Sequence, residues 1–341
     1  MLPMSRRAAV WMAPDQVPLI QAVATAAELS IIAAGAVGRG LSPTVASALN
    51  AKPLDDLRAA LASADIDLFL IAAPGSFGTG TKGEDAAAVA AAHARGVKIA
   101  TLEPVPSAAL DLAGGGWLDG TVRPVDILRF VPRTRLSTAF RGASEVLESF
   151  GQIRSMGVEA WNSPVEGSLG AGLYAALELV LALMGEPETI DAACAIPSAG
   201  NTMHALPDET LRDLHGDLTA NLRLADGRAA SLYISNQAGR WDRTITLIGN
   251  SGRLRIHDEG FEWIGPDGKV LDQSRPRKKS PETHAITAIA DSLTRLLDPS
   301  VPDPGPTNHA AILAMGQAAL LSARTGQGES PATIRRMVGR D

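Results

Sequence analysis

The 341-residue chain has a single cysteine, Cys194. One thiol excludes a disulfide framework and any multi-cysteine metal centre, and Cys194 reads as a small buried hydrophobe. Aromatic residues are scarce, at 4% of the chain against 45% hydrophobic residues in all. The apolar share is therefore aliphatic and small, with alanine-rich stretches such as Ala86 to Ala94. No stretch reaches about 18 apolar residues without a charge, so no membrane span is expected. The start, Ser5-Arg6-Arg7 followed by Ala8 to Ala13, is similar to a twin-arginine export signal. Pro14, Asp15 and Gln16 interrupt the apolar run, so it reads instead as a first strand of a cytoplasmic protein. The six histidines His93, His204, His215, His257, His284 and His309 form no HxH or HExxH spacing, and no metal site is indicated.

Charge is also limited. A net charge of -6 over 341 residues gives no global positive field for nucleic acid or an acidic membrane. The one basic run, Arg275, Arg277, Lys278 and Lys279, reads as a solvated loop. The same small charge, with a high apolar fraction, excludes disorder. The length suits roughly two domains of about 150 residues each.

What is present is an alternation. Apolar runs at Ala8 to Ala13, Leu29 to Ala34, Asp67 to Ala72 and Val97 to Thr101 read as strands buried on both faces. Between them lie helical stretches: Val17 to Ala27, a helix through Ala48 with Ser42 as N-cap and Pro43 first in the helix, Asp55 to Ala62, and Glu84 to Ala94. This spacing predicts a doubly wound parallel sheet. After about residue 120 the texture changes to apolar–polar alternation, as in Leu218 to Leu224 and Ala230 to Ser235. Turn signals separate these runs at Asp226-Gly227, Asn250-Ser251-Gly252 and Pro266-Asp267-Gly268. That predicts antiparallel strands with one open face. Helices are expected over Gly172 to Met184 and His309 to Arg324.

Several segments, in order, carry a resemblance. They are DIDLFLIAAP with EDAAAVAAAHARGVKIATLEP, then GSLGAGLYAALELVLALMGEPETIDAA, then DLTANLRLADGRAASLYIS with RTITLIGNSGRLRI, and finally ILAMGQAALLSARTGQ. Together they resemble the Gfo/Idh/MocA family of sugar and cyclitol dehydrogenases, from about residue 7 to 330. The resemblance implies an α/β Rossmann-like N-terminal domain over 1–120 that takes NAD or NADP. It implies an α+β C-terminal domain over 121–307 with a large open, mostly antiparallel sheet for self-association. A C-terminal helix over 308–341 is expected to return to the first domain.

The chemistry expected of such a chain is then missing at four places. A Rossmann turn needs glycines after its first strand; here stand Ala13, Pro14, Asp15, Gln16, Val17 and Pro18. The second strand ends without the acidic residue that holds ribose hydroxyls, although Gly38, Arg39 and Gly40 leave a flexible basic turn. The family's Glu-Lys-Pro becomes Leu102-Glu103-Pro104. Its aspartate and histidine, four apart on one helical face, become Ala171 and Ala175, which cannot move a proton.

These substitutions suggest a homologue that has lost hydride transfer and acts as a partner or regulatory subunit, alone or beside a catalytic homologue. Two alternatives stay open. One is an active NAD(P)-dependent oxidoreductase with a rearranged site. The other is a lyase or isomerase on a sugar-like substrate using Glu103, Tyr174 or Glu178. Positions that would face a cofactor are Pro14, Asp15, Gly38, Arg39, Ala73 and Pro74. A glycine-rich loop, Gly75 to Gly83 with Lys82, could meet an anion. Arg133, Arg135, Asn162, Trp241 and Arg243 are expected to line the substrate cleft.

Overall fold

The structure is a computed structural model, and it describes residues 6–63, 65–195, 210–274, 283–302 and 305–337. His204 and the basic run 275–279 lie outside these residues. The chain divides into two compact units, Met1–Pro132 with Ile286–His309, and Arg133–Ala285 with Ala310–Asp341. The division after the first sheet thus falls at 132, twelve residues beyond the position read from sequence texture. Ile286–His309 is the segment grouped with the first unit, and the chain from Ala310 onward is grouped with the second.

The first unit runs β1 (Arg6–Met12), α1 (Val17–Ala26), β2 (Leu29–Ala36), α2 (Ser42–Ala48), β3 (Lys52–Leu54) and α3 (Leu57–Ser63). It continues with β4 (Leu68–Ile71), α4 (Glu84–Ala94), β5 (Lys98–Thr101), α5 (Ala109–Gly114), α6 (Pro124–Ile127) and β6 (Leu128–Phe130). The six strands are parallel in the order β3-β2-β1-β4-β5-β6. Apolar strands are needed because helices cover both faces of such a sheet. All four residues of β4 are buried, and Ala8 to Met12 in β1 are too. The predicted cap at α2 is not formed. Ser42 has no capping bond, and its hydroxyl instead accepts from the Ala36 amide at 3.2 Å, tying the end of β2 to the start of the helix.

The second unit has α7 (Thr138–Gly142), α8 (Ser144–Phe150), β7 (Ile153–Trp161), α9 (Leu169–Met184), β8 (Thr189–Ala195), β9 (Asp217–Arg223) and β10 (Ala229–Ser235). Then come β11 (Asp242–Gly249), β12 (Gly252–His257), β13 (Gly260–Ile264) and β14 (Val270–Ser274); α10 (His284–Leu297), which belongs from Ile286 onward to the first unit, precedes α11 (His309–Thr325) and α12 (Pro331–Met337) in the chain. The eight strands order as β14-β13-β12-β11-β7-β10-β9-β8. All neighbours are antiparallel except β7 and β10. Alternate residues of β9, β10 and β11 are buried.

The inward face packs on α9, whose Leu169, Leu173, Leu177 and Leu179 have no exposed surface. Each such leucine contributes about 1.5–3 kcal/mol of burial. Ser168 caps this helix, its hydroxyl accepting from the Ala171 amide at 3.0 Å. Glycine is required on α9 where another segment comes close. A Cβ at Gly170 would stand 1.7 Å from the Leu211 carbonyl oxygen, and one at Gly172 would stand 2.8 Å from Ile234 Cγ2. The first obstacle is backbone and cannot rotate away. Gly170→Ala is expected to lower the stability of the second unit by about 3 kcal/mol, read as a shift of its urea midpoint.

Candidate functional site

In an open α/β sheet, ligands bind at the carboxyl edge where the strand order reverses, here between β1 and β4. The turn after β1 is a short 3-10 segment, Pro14–Gln16. Gln16 is buried and folds back on the turn. Its amide donates to the Ala13 carbonyl at 3.1 Å, and its side-chain oxygen accepts from the Ala13 amide at 3.0 Å. The first free amide after the strand is thus used within the turn. Pro14 and Pro18 have none to give, and Asp15 is exposed.

The neighbouring turn is occupied as well. The Val37 amide donates to Met12 at 3.0 Å. A Cβ on Gly75 would stand 3.2 Å from Val37 Cγ1, so the ends of β2 and β4 meet across β1. Trp11 lies over Gly35 so closely that a Cβ there would stand 2.3 Å from its ring. Gly38, Arg39 and Gly40 form an exposed turn with φ of +105° and +78° at the two glycines. The amides of Ala72 and Ala73 both donate to the Trp11 carbonyl, at 2.7 and 3.3 Å, and Pro74 is buried.

The glycine-rich loop differs from the anion cradle its composition suggests. Its amides point at carboxylates of the chain itself. Gly78 donates to Asp85 Oδ2 at 2.7 Å, and Gly80 donates to Asp111 Oδ1 at 2.8 Å. Asp85 also pairs with Arg58. Phe77 anchors the loop edge-on to Trp117, with ring centroids 6.2 Å apart, while Lys82 is exposed. An anion here would have to displace two carboxylates, one of them buried beside a guanidinium. Neither loop fits the pyrophosphate of a dinucleotide.

Beyond β5, Glu103 is half-buried and Pro104 buried. The segment that follows is held by His309, whose Nε2 lies 2.8 Å from the Pro106 carbonyl oxygen and in the neutral ring donates to it. Burial lowers this imidazole from 6.5 to about 4. Below pH 6.5 the unfolded chain takes up a proton that the folded chain refuses until about pH 4. Stability is therefore complete above the unfolded value and is lost as pH falls through this window. Between pH 7 and 4.5 the loss is about 2.5 kcal/mol, and in His309→Gln it is absent; urea titrations at the two pH values check this.

In the second unit, α9 presents Ala171, buried, and Ala175, half-buried, where the resemblance places an acid and a base. One turn on, Glu178 is fixed. Its Oε1 accepts from Arg133 Nη2 at 3.1 Å, Arg135 Nε at 3.1 Å and Arg135 Nη2 at 2.7 Å. Arg133 and Glu178 are both buried, while Arg135 is partly exposed. Tyr174 is fully buried.

Between the two arginines, Thr134 accepts at 3.3 Å from Arg243 Nη1. Arg243 grips Asp258 Oδ1 through Nε and Nη2, at 3.1 and 2.8 Å, and its guanidinium lies 4.7 Å from the centre of the Trp241 ring. Four of the five expected cleft residues thus join one buried network of three guanidinium groups and two carboxylates. The fifth, Asn162, is separate and donates to the Gly167 carbonyl at 3.4 Å. Sequence gave no signal for Asp258, Asp85 or Asp111 as partners: Asp111 is 31 residues from Gly80, Asp85 reaches back to a loop amide ahead of its helix, and Asp258 faces Arg243 only once β11 and β12 have paired. Among the described residues no cluster of three metal-ligating side chains is present. None of the described helices is long and apolar enough to cross a membrane.

Removing the carboxylate leaves the buried Arg133 guanidinium, beside that of the partly exposed Arg135, without a counter-charge. Glu178→Ala is expected to cost about 3–5 kcal/mol, and Glu178→Gln somewhat less. Guanidinium chloride unfolding followed by circular dichroism reads the difference.

By sequence the chain matches no family model and no curated protein. By structure it is similar to an oxidoreductase from Agrobacterium radiobacter in complex with NAD+, L-tartaric acid and magnesium, with a TM-score of 0.66 and 17% identity over 97% of this chain and 100% of that one. It is similar to levoglucosan dehydrogenase in complex with NADH and levoglucosan, at 0.66 and 14% over 95% and 99%. It is also similar to myo-inositol 2-dehydrogenase from Lactobacillus plantarum, at 0.65 and 16% over 95% and 99%. The chain therefore has the two-domain fold of the Gfo/Idh/MocA-type inositol and sugar dehydrogenases.

Proposed function

We propose that this chain keeps the dehydrogenase scaffold without running nicotinamide hydride transfer, and that it serves as a non-catalytic partner or regulatory subunit. The observation that carries the reading is the turn after β1, where Gln16 takes up the Ala13 amide from within the protein. A pyrophosphate needs several free amides at that place. The neighbouring loop supports the same reading, since Asp85 and Asp111 hold the amides of Gly78 and Gly80.

The helix α9 supports it independently. Ala171 and Ala175 carry no proton, and the nearest carboxylate, Glu178, is bound by two arginines through Oε1. A general base must be free to take a proton from a hydroxyl in reach. Glu178 is held by a positively charged pair through Oε1 and its unpartnered Oε2 is buried, as is the whole of Tyr174, so neither reaches a hydroxyl from solvent. These features weigh against a lyase or isomerase built on Glu178 or Tyr174.

A partner would attach through the outward face of the eight-stranded sheet. That face carries the exposed Tyr233 and Ile248 among the polar Thr219, Asn221, Ser231 and Glu159. A mixed polar face with a few large apolar side chains is typical of a non-obligate interface.

Titration of the purified chain with NADH and with NADPH tests the reading. Nicotinamide fluorescence is expected to rise linearly with no saturable component up to about 1 mM. Saturation in the micromolar range with either nucleotide overturns the proposal.

A further inference from the structure

The outward face of the second unit's sheet carries a cavity of about 280 Å³, at the end of the β11–β12 hairpin. Its floor is Thr244, Arg255 and His257, which the register places on one face because Thr244 pairs with His257 and Thr246 with Arg255. Ile245, Leu254 and Ile256 point the other way and are buried. That other face is the one against α9, since Gly172 of α9 sits on Ile234, and Ile234 shares a face with Ala160 and Arg243 through the β10–β7 and β7–β11 pairings. The cavity's floor thus faces away from the alanines of α9, while two of its walls, Trp241 and Asp258, are the partners of Arg243.

Two of its walls hold nitrogen atoms with nothing to bond. Trp241 is 7% exposed, and its Nε1 has no hydrogen-bond partner. His284 Nε2 has none either; the nearest carboxylate oxygen, on Glu259, is 3.9 Å away, beyond hydrogen-bond reach. Beside the cavity, Trp161 stands opposite Asp242 in the ladder, and its Nε1 is also unpartnered. Two orphaned ring nitrogens in the wall of one cavity are unusual, because a buried N–H without an acceptor costs about 1–3 kcal/mol. They call for oxygen atoms from outside the chain.

The charges fix which kind. Arg240 and Arg255 are balanced by Asp242 and Glu259, and the third carboxylate, Asp258, is taken by Arg243. The site has no net charge to attract an anion or a cation. It offers donors and acceptors side by side, in a space at the lower end of small-molecule pockets.

We propose that this cavity binds a neutral polyhydroxylated small molecule, whose hydroxyl oxygens accept from Trp241 and His284 and whose hydroxyl protons go to Glu259 and Asp242. The site is an effector pocket at the end of the β11–β12 hairpin, with its floor on the face opposite α9 and the partners of Arg243 in its wall. It stands whether or not the first unit takes a nucleotide.

Calorimetric titration of the full chain in polyol-free buffer tests this, with D-glucose and D-sorbitol as neutral probes and D-gluconate and glucose 6-phosphate as charged ones. At least one neutral probe is expected to bind saturably below about 10 mM, and the charged probes about tenfold more weakly. Trp241→Phe, which keeps the ring and loses the N–H, and His284→Gln should each weaken binding by about tenfold. If Trp241→Phe does not fold, as judged by its urea midpoint, Thr244→Val takes its place. The proposal is overturned if no neutral probe saturates, if a charged probe binds more tightly than the neutral ones, or if the folded variants bind as the parent does.

Discussion

Every buried backbone N–H must find an acceptor, and the carboxyl edge of a parallel sheet is where this demand is most acute. Strand ends and glycine turns crowd amides into a small volume there. In a nucleotide-binding protein the ligand supplies the oxygens. Here the protein supplies them: Gln16 serves Ala13, Ser42 serves Ala36, Asp85 serves Gly78 and Asp111 serves Gly80. These four amides are satisfied by the chain itself, and the function proposed above depends on that.

The second unit has a parallel economy. Where the family resemblance places an acid and a base on α9, this chain has the methyl groups of Ala171 and Ala175. The polar atoms nearby have been drawn into a network from Glu178 through Arg133, Arg135 and Thr134 to Arg243 and Asp258. Such a network is costly to bury and costly to break. It fixes the segment 133–136 against α9 and the β11 strand, which is a structural task.

The strands of the first unit were legible in the sequence because parallel strands between helices are apolar throughout, as Leu68 to Ile71 shows. The edge strands β3 and β6, three residues each, are too short to leave a period. The nine-residue β7 escaped for a different reason. Its register with β11 shifts at Ile248/Gly249, so buried Ile153 and Met156 stand three apart and the alternation is broken at its start. Of the site, sequence could name what was missing: glycines, an acid, a lysine, an acid–base pair. It could not name what had filled the space. Asp111 lies 31 residues from the glycine whose amide it accepts, and Asp258 lies 15 residues from Arg243 across a hairpin. The signal nearest to hand was Asp85, an acidic residue in the first turn of α4, where a carboxylate ordinarily serves the helix dipole.

The one parallel pairing in the large sheet, β7 beside β10, has a consequence for how the unit assembles. The pairs β9–β10, β11–β12, β12–β13 and β13–β14 are local hairpins that can form from short loops. β7 must instead enter between β10 and β11, strands that follow it by more than sixty residues. Closing such a loop is entropically slow. Until β7 arrives, the two groups of hairpins present open edges to solvent and to each other. A single strand, the one least visible in the sequence, thus joins two small sheets into one.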